Sequence, residues 1–468
     1  MANKGKFLIL KKGNCTFARV VKVFRSCILL TGIGLLFFSC ATKPEAFRDI
    51  ELAVNQNDFE RAIAAIRTGQ ARNPPLYPES NAVSLFLDKG LLEHYAENHK
   101  NSAQDLLEAE RLIEEAFTKS ITQDMASYLA NDNTKDYPGE DYEDIYLSIF
   151  NALNFYFDGN IEGAMVEIRK LTLPNGKLDM LSRKYEESTR SLGDYLMSGL
   201  NALGFQVNPQ LPPGNPVNFS NSALARYLGV LFYLDNNNED SARIEYEQLR
   251  AAFASNSKVY HNPIPRSIDN MRTVPAGKAR LNIIGFTGLS PIKEEKTFEQ
   301  ATPFFGNSLY DVTRFKLPVL VRRPSSINRI EVEVIGHGRF ELELLEDMSA
   351  VIEETYNARF ANMFFKTYVR TLLKNAAAVI ASNQAGRAGG GLAHLGTSIA
   401  GRVATDVSES ADIRMGRFFP DRAYVGAIDL EPGTYTIKVN FGGRTVKEFK
   451  DVNIRVGRVN LIQAVSLQ

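Results

Sequence analysis

The chain has 468 residues, of which 44% are hydrophobic and 23% are charged, and its formal net charge is zero. This length is enough for two or three domains, and the composition is that of a folded protein. The charge is unevenly distributed: residues 1–39 contain seven Lys or Arg and no acid, which leaves residues 40–468 with a net charge of −7. A mildly acidic body gives no electrostatic reason to expect a nucleic-acid partner.

The first 39 residues have the three parts of an export signal. A basic region extends to Arg25, an apolar run covers Ile28 to Phe38, and the small residue Ser39 follows. A helix of about 11 residues reaches roughly 16 Å, whereas the hydrocarbon core of a bilayer is about 30 Å thick. Residues 1–39 are therefore predicted to be a signal peptide rather than a transmembrane helix.

Cys40 is the candidate lipid-attachment residue. Phe37-Phe38-Ser39-Cys40 resembles a bacterial lipobox, although Phe37 occupies a position where Leu, Val or Ile is usual. The remaining cysteines, Cys15 and Cys27, lie in the leader, so residues 41–468 can form no internal disulfide. The alternative is an ordinary secretory signal that is cut nearby. The resemblance implies a lipoprotein, and Ala41 favours the outer membrane, with the protein facing the periplasm.

Residues 40–255 are predicted to form helical hairpins. A polar turn, an acidic first helical turn and then a small alanine recur in three stretches. These are Asn55 to Ile66, Asp158 to Leu171 and Asn236 to Leu249. The pattern resembles tetratricopeptide-type repeats, which bind proteins on extended surfaces, but the alanines do not follow a regular 34-residue period. An irregular helical bundle is the alternative.

The stretch from Tyr142 to Lys170 resembles the signature of a family of bacterial lipoproteins with tetratricopeptide-like helical repeats, whose function is unassigned. The family pattern has a tyrosine-glutamate pair, an ALNY-like helical turn, a Gly-Asn bend and an acid-x-arginine. The matching residues are Tyr142, Glu143, Asn154, Gly159, Glu167 and Arg169. Two readings stay open for the charged members of this set: packing partners or parts of a recognition surface.

Proline and asparagine accumulate in residues 256–278, which are predicted to be a linker. The chain then follows a strand pattern of alternating apolar and polar residues, interrupted at about 347–410 and resumed after Asp421. Pro-Gly and Gly-Gly turns separate the later strands. Residues 279–468 are therefore predicted to form an antiparallel, β-sandwich-like domain. The predicted fold class is α+β.

The interruption at about 347–410 is predicted to be an inserted helical hairpin, with a first helix from Asp347 to Ser382 and a second helix ending near Ser410. Lys366, Arg370 and Lys374 recur at four-residue spacing on the first helix and form one stripe. This stripe is a candidate membrane or partner face. The alternative is a helix that packs on the sheet with its charges in solvent.

The segment Ser408 to Pro420 resembles the acidic Asp-x-Arg segment of the same lipoprotein family, with Asp412 and Arg414 in the matching positions. The tryptophan of the family pattern is missing from this chain. Despite this difference, Asp412 and Arg414 are retained as candidate motif residues.

No catalytic constellation is apparent in the sequence. The glycines of Gly386 to Gly391 follow no strand and lack the Lys-Ser/Thr of a phosphate loop, and no histidine follows Ser398, as a nucleophile elbow would require. His94 and His99 are five residues apart, a spacing that separates them around a helix. We expect no enzyme activity, no metal and no cofactor.

The sequence thus predicts a lipid-anchored envelope protein that acts as a protein-binding scaffold or adaptor. Its expected partners are the membrane, through the N-terminal lipid, and other envelope proteins. Two alternatives remain: a regulator of cell-wall assembly or an enzyme in it, which an acid-lined cleft between the two halves would favour, and an accessory of an outer-membrane pore or secretion complex. The oligomeric state is left open.

Overall fold

The computed structural model describes residues 44–121, 133, 135–181, 183, 219–303, 310–389 and 410–468. The chain divides into two units, residues 1–45 and Ala46–Gln468, and the fold described here is that of the second. Cys40 and the predicted signal peptide lie outside the described residues, as does the second helix of the predicted insert. The chain is α+β, as predicted, with helices preceding and interrupting the strands.

Ten α-helices are present in the described ranges. They are α1 (Arg48–Asn55), α2 (Phe59–Gln70), α3 (Ala82–Tyr95), α4 (His99–Ile121), α5 (Asp141–Phe157), α6 (Ile161–Thr172), α7 (Ala223–Asp235), α8 (Glu239–Ser255), α9 (Arg266–Asp269) and α10 (Met348–Gly389). Short 3-10 helices cover Pro44–Phe47 and Glu79–Asn81. The first eight α-helices pack in sequential pairs, α1 with α2 through α7 with α8.

In this part of the chain, the four helix pairs are joined by the same tight turn. We name them turn 1 (56–58), turn 2 (96–98), turn 3 (158–160) and turn 4 (236–238). The middle residue of each turn has a positive φ: Asn57, Glu97, Gly159 and Asn237. Its N–H bonds the carbonyl three residues back, and the next N–H bonds the carbonyl five residues back. This Schellman pattern satisfies the last carbonyls of the first helix. In turns 1, 3 and 4, the side chain of the final turn residue also caps the second helix.

A small residue lies four positions after each cap, where consecutive helices approach closely. These residues are Ala62, Ser102, Ala164 and Ala242, all with 0% exposure. The sequence predicted three of the hairpins, and the structure contains those three. The fourth hairpin, α3–α4, escaped the pattern because Ser102 replaces the alanine and Glu97 occupies the left-handed position.

Ten strands form three sheets in the described residues. They are β1 (Ala279–Leu289), β2 (Ile292–Pro303), β3 (Tyr310–Val321), β4 (Ile330–Val334), β5 (Gly338–Glu341), β6 (Glu343–Asp347), β7 (Pro420–Leu430), β8 (Gly433–Phe441), β9 (Arg444–Ile454) and β10 (Asn460–Ser466). The first sheet has the order β10-β1-β7-β6, the second has the order β5-β4-β8-β9, and β2 and β3 form a separate ribbon.

The sequence predicted an antiparallel domain, but one pair of strands differs: β10 pairs with β1 in parallel. The reason is the path of the chain. After β9, in the second sheet, the chain crosses to the free edge of the first sheet and arrives in the direction of β1. Alternating strand patterns predict which face is buried, but they do not specify the direction in which a returning strand meets its neighbour.

Strand β1 is buried on both of its faces. Leu281 and Ile283 join a core with residues of the second sheet, whereas Ile284 and Phe286 join the core that contains the helices. Successive side chains of a strand point to opposite faces, so one strand connects the two cores. A Cβ on Gly285 would lie 2.6 Å from Ile330 Cδ1, so a larger residue there would displace side chains between the sheets.

Residues 256–278, which the composition predicted to be a linker, pack against the core of the unit. Val259, Ile268 and Met271 are buried in the same core as the helices, and this core also contains Phe286 from β1. The helical and β regions are therefore one compact unit. Proline and asparagine end the helices here, but the apolar residues between them remain available for packing.

The first helix of the insert, α10, continues past the predicted end at Ser382 to Gly389. Near its middle, Phe364 and Tyr368 pack on Phe315 of β3 with ring centroids 5.1 and 5.8 Å apart. Strand β2, which the sequence did not predict, pairs with β3 to form the ribbon beneath this helix. Charged residues such as Glu294 and Glu295 had obscured its alternating pattern.

Candidate binding cleft

The structure brings together four of the residues singled out by the family resemblance. Tyr142, Glu143, Asp412 and Arg414 meet where the extended segment 410–419 passes the start of α5. Glu143 is fully buried and accepts the Gly416 N–H at 2.6 Å. Its other oxygen accepts the Tyr137 hydroxyl at 2.9 Å and the Glu140 N–H at 2.7 Å.

Asp88, on α3, holds the next residue of the same segment. It is fully buried and accepts the Arg417 N–H at 2.5 Å and the Tyr77 hydroxyl at 2.6 Å. We call Asp88 and Glu143 the carboxylate clamp, since they bind the N–H groups of two consecutive residues. Burial raises the pKa of each carboxyl to about 7, and the neighbouring Glu140 adds to the increase at Glu143.

Arg414 ties the same segment to the helices. Its guanidinium binds the Asp412 carboxylate at 2.8 Å and the carbonyls of Ser80 and Lys135 at 2.9 and 2.7 Å. Burial acts to raise the pKa of Asp412, but the bonds from Arg414 outweigh it and hold this pKa below the usual value. Because every one of these contacts is internal, the Asp412–Arg414 pair is a packing element.

The remaining family-motif charges lie on α6. Glu167 is 2% exposed and binds Lys170 at 3.0 Å, so it packs internally. Arg169 is exposed, and its guanidinium lies 5.9 Å from the centroid of the Tyr233 ring. Of the two readings left open by the sequence, packing therefore accounts for Glu143 and Glu167, whereas Arg169 is on the surface. Gly159 supplies the positive φ of turn 3.

The predicted cationic stripe on α10 is not a continuous exposed face over the side chains that the structure describes. Lys366 is half-buried and Arg370 is 3% exposed. The ring contacts of Phe364 and Tyr368 turn this part of the helix toward the β2–β3 ribbon. The side chain of Lys374 lies outside the described set.

Asn154 belongs to a different site, where it joins two hairpins. Its Oδ1 lies 2.6 Å from Nδ1 of His94 and 3.2 Å from Nδ1 of His99, and its amide donates to Ser102 at 2.7 Å. Ser102 in turn donates to the Gly90 carbonyl at 2.7 Å. The serine that replaces alanine in this hairpin is therefore the anchor of a buried polar chain.

This chain of bonds sets the tautomer of His94. Its Nδ1 must donate to Asn154 Oδ1, so Nε2 is left to accept from the Gln463 amide, whose nitrogen is 2.8 Å away. Burial lowers the pKa of His94 to about 4, so the ring is neutral at physiological pH. His94 thereby connects α3 to β10 through a side-chain amide.

A cleft of about 600 Å³ opens beside these histidines, within the range typical of ligand sites. Turns 1 and 2 and the end of α5 form one wall, and strands β9 and β10 form the other. Its lining includes aromatic rings, amides and a few charges: Asn57, Asp58, Phe59, Glu60, His94, Tyr95, Glu97, His99, Phe157, Lys447, Phe449 and Gln463. His99 stacks on Phe157 with ring centroids 5.1 Å apart.

In the second wall, the cleft borders the outer edge of β10, which is the edge strand of the first sheet. Backbone groups at both ends of this edge are already bonded. Val459 donates to Asp235 at 2.8 Å and accepts from Tyr156 at 2.6 Å, while Leu467 donates to Asn57 at 3.1 Å. The last turns of α5 and α7 therefore cover one end of the strand, and turn 1 covers the other.

Three carboxylates and one lysine lie at the mouth of the cleft. Asp58 caps α2 by accepting the Arg61 N–H at 3.1 Å, and Glu60 accepts from Asn98 at 2.9 Å. Glu97, in turn 2, forms an ion pair with Lys447 of β9. The formal charge of this rim is negative because the three carboxylates outnumber the single lysine.

Sequence reasoning rejected His94 and His99 as a metal pair on their spacing, and it did not foresee that both would bind one asparagine. Asn154 was the available signal, since the family resemblance had already marked it. In the described residues, no group of three His, Cys, Asp or Glu side chains could hold a metal ion. The helices in these ranges include none that is long and apolar enough to cross a membrane.

Comparison with protein-family models, with curated proteins and with solved structures gave no match for the chain. The resemblance to repeat-containing lipoproteins therefore stays a prediction that rests on the motif residues.

Proposed function

We propose that this protein is a lipid-anchored lipoprotein of the bacterial envelope that acts as a protein-binding scaffold or adaptor. The observation that carries the proposal is the cleft between the hairpin turns and β10. It combines aromatic rings, amides and an incompletely paired strand edge, which are the features that bind protein segments.

The proposal extends to the finer architecture. The four hairpins would act as a tetratricopeptide-like array, and the two four-stranded sheets as a sandwich-like domain that closes one side of the cleft. The shared turn geometry and the common core of the two sheets support this assignment. In such an array, the inner packing is shared between units and the turns are free to form a binding rim.

Tethering is the proposed mechanism. Lipid at Cys40 would confine the cleft to a thin layer at the membrane, most naturally the periplasmic side of the outer membrane. This confinement raises the effective concentration of the cleft for partners in the same layer, without any new contact. Two or three acyl chains would be needed for stable attachment, because a single chain binds only marginally.

The test is a crosslink and pull-down from cell envelopes, with wild type compared with Cys40→Ala. Detergent-phase partitioning of both forms is measured alongside. The proposal expects wild type to enter the detergent phase, Cys40→Ala to stay in the aqueous phase, and a defined protein set to co-purify with the anchored form. Equal partitioning of the two forms would contradict the lipid anchor.

A second candidate is a regulator of cell-wall assembly or an enzyme in it. Its supporting observation is the position of the acid-rimmed cleft between the helical and β regions, with His99 oriented by Asn154. Incubation of purified cell wall with wild type and with His99→Ala tests it. Release of soluble fragments by wild type alone would favour an enzyme, and no release by either would disfavour it.

A further inference from the structure

We infer that the cleft binds an extended, basic segment of a partner protein, which adds as a strand to the outer edge of β10. This inference rests on the proposed scaffold function and names the chemistry of the partner. It depends on three features of the cleft: the direction of the free backbone groups, the length of the gap and the charge of the rim.

The direction follows from the contacts at the ends of β10. In a parallel ladder, the N–H and C=O groups of alternate residues point to opposite edges of the strand. Val459 and Leu467 bond outward, to Asp235 and Asn57, and Val459 also accepts from the Tyr156 hydroxyl. Gln463 and Val465 lie in the same alternation, so their backbone groups also point away from β1.

By the gap we mean the stretch of the β10 edge between these bonded ends, at Gln463 and Val465. Within the described ranges, β10 pairs with β1 alone, and no hydrogen bond joins the outward backbone groups of Gln463 or Val465 to another residue. Both residues are half-buried and line the cleft, whereas Ile462 and Ala464 are buried against the second sheet. Gln463 and Val465 are two positions apart and therefore about 7 Å apart along the strand, enough for an added strand to form a short ladder.

The gap is not explained by the usual protection of strand edges. Natural edge strands are covered by loops or blocked by charge because free backbone groups attract other chains. Here turn 1 and the last turns of α5 and α7 bond the strand backbone. Beside turn 2, His94 of α3 bonds only the side chain of Gln463. The cleft occupies the place where turn 2 stands away from the strand.

The rim determines the charge of the partner. Asp58, Glu60 and Glu97 face one cation, Lys447, which already pairs with Glu97. A lysine or arginine of the partner could pair with Glu60 as Lys447 pairs with Glu97. Glu60 is exposed, and its carboxylate accepts one hydrogen bond, from Asn98. The rings of Phe157 and Phe449 offer apolar surface for the stem of such a side chain.

The direct test is fluorescence anisotropy with three labelled heptapeptides and the full chain in detergent micelles. The first peptide alternates lysine with valine and threonine, and the second replaces each lysine with glutamate. The third is the basic peptide with alternate amide nitrogens methylated, which keeps its charge but removes its ladder donors. The inference expects the basic peptide to bind, the methylated peptide to bind about tenfold more weakly or worse, and the acidic peptide to bind least.

Two outcomes would overturn the inference. Equal binding of the basic and methylated peptides would show that any attraction is electrostatic and not strand addition. No binding of the basic peptide at concentrations on the order of 1 mM would show that the edge is closed in solution.

Two variants keep the test independent of folding. Ala96→Trp fills the cleft from turn 2, with Ala96→Ser as its matched control, and the inference expects only the tryptophan to abolish binding. Glu60→Gln leaves the cleft open and lowers the affinity of the basic peptide about threefold to tenfold, whereas Glu108→Gln on α4, remote from the cleft, leaves it unchanged. Unfolding curves of all four variants verify that each chain is folded.

The envelope pull-down separates this inference from the proposed function. If Ala96→Trp captures the same protein set as wild type and the basic peptide does not bind, the scaffold stands and the β10 inference fails. If neither form captures a defined set, the scaffold itself fails, and peptide binding is then judged on the anisotropy data alone.

Discussion

Two polar regions of this molecule use similar side chains in opposite ways. In the carboxylate clamp, Asp88 and Glu143 are fully buried, and each carboxyl is bonded to backbone N–H and tyrosine hydroxyl groups. In the cleft, Gln463 and Val465 keep outward backbone groups at an accessible strand edge. The clamp is closed around one segment of its own chain, whereas the cleft leaves hydrogen-bonding capacity open at a strand edge.

The difference shows that a charge marked by a sequence motif can serve internal packing. Glu143 was one of the residues that matched the family pattern, and it holds segment 410–419 in place. The cleft is instead lined by residues that looked ordinary in the sequence, such as Gln463 and Phe157. Buried charge indicates packing here, and the proposed binding site rests on unpaired backbone.

The largest effect is expected for Glu143→Ala in the clamp. The Gly416 and Glu140 N–H groups and the Tyr137 hydroxyl would lose their acceptor in a buried site. We expect a loss of about 3–5 kcal/mol in the free energy of unfolding at neutral pH. Urea unfolding measures it, with the exposed Glu108→Ala as control, expected within about 0.5 kcal/mol of wild type. Similar values for both variants would refute the clamp.

The clamp also predicts how stability depends on pH. Because burial raises the pKa of Asp88 and Glu143 to about 7, the folded chain keeps these protons while the unfolded chain loses them above about pH 4. The free energy of unfolding therefore gains a term that falls with pH between about 4 and 7, by about 1.4 kcal/mol per pH unit for each carboxyl. Outside this window the term is constant.

Glu143→Gln isolates this contribution, since it removes one titrating group and keeps the shape of the side chain. We expect the slope of unfolding free energy against pH, measured between pH 5 and 6.5, to become less negative by about 1.4 kcal/mol per unit. Parallel curves for wild type and variant would mean that Glu143 does not titrate in this window.

A smaller effect is expected beside the cleft for Ser102→Ala, which restores the alanine of the other three hairpins. The Asn154 amide would lose its acceptor and the Gly90 carbonyl its donor. We expect a loss of about 1–3 kcal/mol, measured by urea unfolding. Thr118→Ala removes an exposed hydroxyl from the same helix and is the control; an equal loss there would show that the buried chain contributes nothing.

The smallest effect is expected for Lys447→Gln at the rim. Its ion pair with Glu97 is solvent-exposed, so we expect a change of about 0–1 kcal/mol that disappears at high salt. The same variant makes the rim more negative and should tighten binding of the basic peptide. Lys450→Gln, on the same strand, is the matched control. A loss above about 2 kcal/mol would show that this pair holds the two walls together.

Much of the fold could be predicted from local patterns. The acidic first turns and small alanines gave three of the four hairpins, and alternating residues gave most strands, including β4 and β8. The hairpin α3–α4 was missed because Glu97 and Ser102 depart from the repeat. Strand β2 was missed because its charged residues interrupt the alternation, although pairing with β3 fixes it in the ribbon.

The candidate cleft could not be predicted in the same way. Asn154 was marked by the family resemblance, but its partners His94 and His99 lie 60 and 55 residues away. Gln463 lies 369 residues from His94. No pattern within a helix or strand encodes such a contact, because it arises only when the two regions pack on a common core.

The sequence by itself therefore determined most of the local elements: where helices cap, where turns need a positive φ and which faces are apolar. The tertiary structure alone decided that the helical and β regions form one unit, that β10 lies parallel to β1, and that one stretch of its edge is left open. The physical reason is one of range. Capping and amphipathicity act over a few residues, whereas the exposure of a strand edge depends on which distant segment covers it.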